Sequence, residues 1–342
     1  MVLTHVGSIW STPVNAYSGF SFTKVFGSGA TTAAAGTSFS IVLKKDGYVW
    51  GVGNNLQGQL GDGTRNNRRS FLAIKKITGA KAVAAGDCHS IVLGLEGCLW
   101  VTGCNDYGQL GDGSKTRRKT FKQVVTFGAQ AVAAGDAHSI MLRQDGSVWA
   151  TGQNIFGQLG DRTTIDSLEF AKVISYGVVA VAACGCHSMV LNQDSSVWAT
   201  GCNHYGQLGD GTKTIGIKYM TVFSSGAKAI AAGNRHSMVL KEDGSVWTTG
   251  YNENGQLGVG SISNSAAFVK AISTSAVAIA AGGFHSMVLK EDGSVWATGS
   301  NRFAQFGDGT TKSRKVFFKI SKFGNSAAQN TNIHMPLQLY CV

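Results

Sequence analysis

Short runs of apolar or alternating residues, broken by Gly, Asp and Asn, recur along the whole chain, and apolar positions nowhere keep helical spacing for ten residues. Around Trp149, Ala131–Gly135 (AVAAG) is small and apolar. Ser139–Leu142 and Ser147–Thr151 follow, separated by Gln144-Asp145-Gly146. Asp-Gly between two such runs predicts a tight hairpin, because Gly accepts φ > 0. Phe170–Val173 supplies a fourth run, matched by Phe71–Ile74 and Phe121–Val124.

The unit repeats. Trp50, Trp100, Trp149, Trp198, Trp247 and Trp296 are spaced by 50, 49, 49, 49 and 49 residues. Eleven residues before each stands Phe39, His89, His138, His187, His236 or His285, and twenty-one after each stands an aromatic residue, from Phe71 to Phe317. Four short strands per period, repeated, predict a β-propeller of four-stranded antiparallel blades. Blades crowd at the axis, so the AVAAG run, with the smallest side chains, is expected innermost. The Phe run, carrying Lys75, Lys76, Lys122 and Lys319, suits the outer edge, where lysine discourages strand addition.

The ends fix the expected blade number. Trp10 lies in Gly7-Ser8-Ile9-Trp10, and Phe22 follows it after a shortened loop. At the other end Phe317 precedes His334 by 17 residues, the same gap as Phe121 to His138, with no further Trp. Six full repeats and one shared between the termini predict a single domain over residues 1–342. Its fold would be a seven-bladed all-β propeller whose N- and C-terminal strands pair in one closing blade. Ser326–Asn330 would be its inner strand, with Ser8–Thr12 and Phe22–Val25 outermost; Met1–Leu3 and Pro336–Leu339 compete for the second place.

Composition narrows this picture. Gly is frequent (46), Pro rare (2), and charged residues make up 14%. No apolar run is long enough to span a membrane, and MVLTHVGSIW has no basic segment leading an apolar core. The seven cysteines, an odd number assigned no common repeat position, read as free thiols in a reducing compartment. An intracellular location, cytoplasmic or nuclear, is therefore expected.

The unit AAGxxHSxVLxxDGxVWxxGxNxxGQLGDG resembles the repeat of the regulator of chromosome condensation family over essentially the whole chain. That resemblance implies a seven-bladed propeller. It leaves function wide, since the family includes a Ran nucleotide-exchange factor, chromatin binders, parts of ubiquitin ligases, a plant ultraviolet photoreceptor and a β-lactamase inhibitor. The photoreceptor's tryptophans occupy the position before the histidine, which here holds Cys88, Ala137, Cys186, Arg235 and Phe284.

No catalytic set, cofactor or metal site is expected. His89, His138, His187, His236, His285 and His334 fall one per blade around a wide circle, whereas a metal needs its donors within about 2.0–2.3 Å. Hydrogen bonds to backbone within each blade are the expected role, and Phe39 shows that one blade manages without. Cys184-Gly185-Cys186-His187 lacks a second zinc-like pair, and the GQLGDG loops (58–63, 108–113, 206–211) lack the residues of a phosphate or calcium loop.

Charge separates the copies. The chain has 30 Lys+Arg and a net charge of +11. Half of these cations fall in three segments without Asp or Glu: Arg65, Arg68, Arg69, Lys75 and Lys76; Lys115, Arg117, Arg118, Lys119 and Lys122; Lys312, Arg314, Lys315, Lys319 and Lys322. In a closed ring these segments form one basic sector. The expected function is a non-catalytic scaffold, monomeric or a subunit of a larger complex, that docks a protein with an acidic surface through this sector and the face loops. Alternatives are exchange-factor activity on a Ran-like small GTPase, implied by the family alone, and charge-driven chromatin or nucleic-acid association, for which stacking aromatics are not evident.

Overall fold

The computed structural model describes residues 2–3, 9–11 and 23–320, and every regular element among them is a β-strand. Six sheets have four antiparallel strands each, paired in sequence order. The blade around Trp149 consists of Ala129–Ala134, His138–Arg143, Val148–Gly152 and Ser167–Ile174. All four runs read from the sequence are strands, and the outermost is longer than its Phe core indicates.

The hairpin is wider than a two-residue turn. Arg143 N–H reaches Ser147 O at 2.9 Å and Gly146 N–H reaches Arg143 O at 3.0 Å, with only Gly146 at positive φ (76°). The Asp145 carboxylate accepts from Ser147 N–H at 2.9 Å and so holds the turn from inside. In the Trp198 blade Ser195 occupies the glycine's place at φ 63°.

Small residues do lie innermost. Ala30–Ala35, Ala80–Ala85, Ala129–Ala134, Val178–Cys184, Ala227–Ala232 and Ala276–Ala281 are edge strands, each beside its counterpart in a neighbouring blade. Between blades the core holds Ile41, Leu43, Ile91, Leu93, Leu99, Leu110 and Ile140, all at most 1% exposed. Burying one such side chain contributes roughly 1.5–3 kcal/mol.

A three-stranded sheet precedes the six. Val2–Leu3 pairs antiparallel with Ile9–Ser11, Val2 opposite Trp10, and Ile9–Ser11 pairs with Thr23–Phe26. Phe26 packs edge-on against Trp50 (5.5 Å) and Phe71 (5.1 Å). Phe223 does the same to Trp247 (5.9 Å) and Phe268 (5.3 Å) from the preceding complete blade. The partial sheet therefore docks as a blade does. Val2–Leu3 takes the second-strand position; Ser326–Asn330, Pro336–Leu339 and His334 lie outside the described residues.

The cysteines differ from expectation. Cys88 and Cys104 form a disulfide with their Cα atoms 5.5 Å apart. Their positions do recur, one before the histidine and four after the tryptophan, and Cys186 and Cys202 occupy the same two places.

Candidate partner-binding face

The histidines hold blades to one another rather than bonding backbone within a blade. His89 Nε2 lies 2.9 Å from Ser139 Oγ in the next blade, and His138–Ser188, His187–Ser237 and His236–Ser286 repeat the distance. Each serine also donates onward: Ser139 Oγ to Gln109 O at 2.7 Å, Ser188 Oγ to Gln158 O at 2.7 Å. A hydroxyl has one proton, so the serine accepts from Nε2–H, and burial keeps the ring neutral. Room for the ring comes from glycine. A Cβ on Gly86, Gly135 or Gly233 would sit 2.1–2.3 Å from the Cε1 of His89, His138 or His236. Burial depresses the imidazoles to about 4 at His89 and His187 and about 3 at His138 and His236.

The GQLGDG loops are structural, as expected. Asn55 Oδ1 accepts Leu60 N–H at 3.0 Å while its amide donates to Asp62 at 2.9 Å, and Asn105, Asn154 and Asn203 clamp their own loops alike. Each loop leans on the next blade, where Gly61 packs on Phe121 and Gly111 on Phe170. The same contact recurs at Tyr219, Phe268 and Phe317 and accounts for the aromatic residue in those outer strands.

Much of the basic sector is already paired. Arg68 reaches Asp62 through Nε at 2.7 Å, and Arg118 reaches Asp112 at 2.6 Å with Lys122 at 3.1 Å. Burial raises the Asp62 and Asp112 carboxyls, but hydrogen bonds from Thr64, Arg68 and Asn55, and from Ser114, Arg118, Lys122 and Asn105, outweigh it and hold both below the usual range. Arg117 is bonded to Asp106 at 2.9 Å and to Gln57. Lys75 lies 4.2 Å over the Trp100 ring, Arg314 4.7 Å over Phe318, and Lys319 is 3.7 Å from Asp292.

What stays outward is a smaller set. Arg68, Arg118 and Arg314 stand opposite Gly53, Gly103 and Gly299 in register. Strand alternation then turns the following residues, Arg69, Lys119 and Lys315, the other way. They are exposed, as are Arg65, Lys115 and Lys312. Arg65, Arg69, Lys115 and Lys119 belong to the adjoining Trp50 and Trp100 blades. Lys76 ends the strand Arg68–Lys76, and Lys322 lies outside the described residues.

The face loops bring together residues that sequence reasoning missed. The residue before each histidine and the fourth after each tryptophan share one backbone bond: Asn54 N to Ser38 O, Cys104 N to Cys88 O, Cys202 N to Cys186 O and Tyr251 N to Arg235 O, all 2.8 Å. Arg235 lies 5.0 Å from the Tyr205 ring centroid and donates to its hydroxyl at 3.1 Å, with Tyr251 edge-on to Tyr205 at 5.0 Å and to Phe284 at 5.8 Å. Leu56, Tyr107, Ile155 and Phe303 are exposed beside them. The available signal was their variation between an unchanging Asn and Gly. A cavity of about 310 Å³ opens between Asn54, Gln57, Asp87, Asp106 and Arg117. Beside it Asp136 is pushed up to about 6, by burial first and the Asp87 charge second, against the Gly185 backbone bond and Arg235.

The RCC1-like domain family matches residues 11–335. This chain belongs to that family. Human WBSCR16 superposes with a TM-score of 0.80 at 21% identity, over 91% of this chain and 89% of that one. Yeast RCC1 (Prp20), in its complex with Kap60, gives 0.80 at 20% identity, over 95% and 86%. Saccharomyces cerevisiae Prp20p, described with its binding to Gsp1p and histones, gives 0.75 at 22%, over 90% and 79%. At these identities the likeness is one of fold, and no curated protein sequence matches the chain. Among the described residues of this family member, no helix is long and apolar enough to cross a membrane.

Proposed function

We propose that this RCC1-like chain is a non-catalytic scaffold that docks an acidic protein surface on the outward cations of the Trp50 and Trp100 blades and the adjoining face loops. One observation carries the reading. Arg68, Arg117, Arg118 and Lys122 are paired with the chain's own aspartates, while Arg65, Arg69, Lys115 and Lys119 remain outward on neighbouring blades. Exposed apolar residues such as Leu56 and Tyr107 supply contact area beside them. Replacing Arg65, Arg69, Lys115 and Lys119 together by Glu should abolish partner capture from the native source in low salt and leave thermal unfolding unchanged. Undiminished capture by the folded variant sinks the reading. Steering by four charges also implies steep weakening of wild-type capture with added salt.

Exchange on a small GTPase is the second reading. It is favoured by the Prp20p neighbour, whose described partner is Gsp1p, and by the aromatic and arginine cluster on the face. Nucleotide release measured across a small-GTPase panel separates it from passive docking, and a salt titration against DNA tests charge-driven chromatin binding.

We also infer a closed ring of seven sectors, with residues 326–330 as the inner strand of the shared blade. The support is Phe26, seated on Trp50 as Phe223 is on Trp247. The ring would carry Lys312 and Lys315 round to the same sector. Ending the chain at Ile320 should then raise hydrogen exchange across 9–11 and 23–26; unaltered exchange there refutes closure.

A further inference from the structure

Two cysteine pairs stand at identical places in two blades. Cys88 and Cys186 each precede the inter-blade histidine, and Cys104 and Cys202 each lie four residues past the tryptophan. In both blades the backbone N–H of the second cysteine donates to the carbonyl of the first at 2.8 Å. The first pair is joined. In the second the thiols are free and close enough to act on each other. The same backbone bond is kept at 2.8 Å in the oxidised pair and in the reduced one.

We propose that Cys186 and Cys202 are a second, reversible cystine site on the loop face, closed by a small peroxide oxidant. Cys202 is the attacking atom. The neighbouring Cys186 thiol first, and the backbone N–H of His204 after it, hold the Cys202 thiol below the ordinary thiol value against the effect of burial. The contact with Cys202 and then burial push the Cys186 thiol upward, so the proton of the pair stays there.

The Cys202 thiolate attacks one oxygen of hydrogen peroxide. The O–O bond breaks, leaving a sulfenic acid on Cys202 and a hydroxide that takes the Cys186 proton to become water. The Cys186 thiolate then attacks Cys202 Sγ and expels a second hydroxide, which is protonated from solvent. Two thiols lose two electrons, and one peroxide becomes two waters. Cys202 is 5% exposed, which favours an oxidant of this size over a bulky disulfide, and Cys186 is half-buried and within immediate reach as the resolving thiol. Closure exchanges two thiols for a covalent bridge beside His204, Asp136 and Arg235, whose charges act on these sulfurs. In the next blade the same two positions hold Arg235 and Tyr251, a packed pair on the face.

Peptide mapping tests this without any partner, so its outcome is separate from the scaffold reading. The full chain is reduced with dithiothreitol, exchanged and treated with graded hydrogen peroxide. Remaining thiols are alkylated in denaturant, and the chain is digested unreduced, with fragmentation between Cys184 and Cys186 locating the bond. The Cys186–Cys202 peptide should rise at least about tenfold over the reduced sample and revert with dithiothreitol, while Cys98 stays alkylatable. Cys186→Ser should remove the bridge and leave Cys202 as a sulfenic acid trapped by dimedone. Alkylation of both cysteines at a peroxide level that closes Cys88–Cys104 overturns the proposal. So does a Cys202 cross-link that survives Cys186→Ser. The wild-type map stands even if that variant fails to fold.

Discussion

At the scale of single residues the repeat works because one copy shows what another can dispense with. Phe39 fills the place of the histidines at 3% exposure, and Ser90 beside it still donates to Gln59 O at 2.6 Å. His138→Phe should therefore fold, losing one buried hydrogen bond, about 1 kcal/mol at pH 7. At pH 5 the balance reverses. A histidine at about 3 when folded and 6.5 when unfolded lets the unfolded chain take up protons first, so its contribution is complete above 6.5 and falls as pH drops. By pH 5 that loss is about 2 kcal/mol, which Phe avoids. Urea unfolding at the two pH values should show the variant less stable at 7 and more stable at 5; the same sign at both contradicts the assignment. Ser195 offers a simpler case. At φ 63° it holds a conformation that the same turn in the other five complete blades gives to glycine. Ser195→Gly relieves that strain at some entropic cost, and a net gain of about 0.5–1 kcal/mol is expected in thermal melts.

Elements show more plainly what a sequence carries and what it hides. The four strands of each blade were legible because Trp149, His138 and Phe170 recur at fixed offsets, and the small AVAAG residues could only sit innermost. Partners in a neighbouring blade were not. Ser139 is fifty residues from His89, and a His-Ser pair repeated along the chain does not reveal that each histidine bonds the serine of the next one. The Arg68–Asp62 and Arg118–Asp112 pairs span only six residues and were within reach, but counting cations by segment passed over the aspartates just upstream. The cysteines were treated singly, so their shared offsets went unread. Asp136 was likewise invisible, since its raised carboxyl depends on Asp87 from the blade before. Its folded-state value, about 6 against 3.8, means the folded chain holds a proton that the unfolded chain has released, and stability is lost as pH climbs between those values. Asp136→Asn should recover up to about 3 kcal/mol at pH 7 and nothing below pH 4. Asn234 fills the same position two blades on, so the substitution has a native precedent.

For the molecule as a whole these terms act in concert. Four fully buried histidines, each losing about 2 kcal/mol by pH 5, together approach the 5–15 kcal/mol that stabilises an ordinary domain. A cooperative acid transition near pH 5 is expected, blunted slightly by Asp136, whose protonation runs in the opposite direction. Circular dichroism across pH 4–7 measures it, and a chain still fully folded at pH 4 would show that these imidazoles are not buried as described.

The His–Ser bond is directional: each histidine-bearing blade offers a ring nitrogen forward and a hydroxyl backward. Two such ends fit each other but not themselves, so the contact is of the head-to-tail kind that either closes on itself or adds copies without limit. A gene fragment encoding only three or four of these units would therefore expose one donor rim and one acceptor rim on every molecule. It should string into filaments of open-ended length, and a further short piece bearing a matching rim would act as a chain terminator.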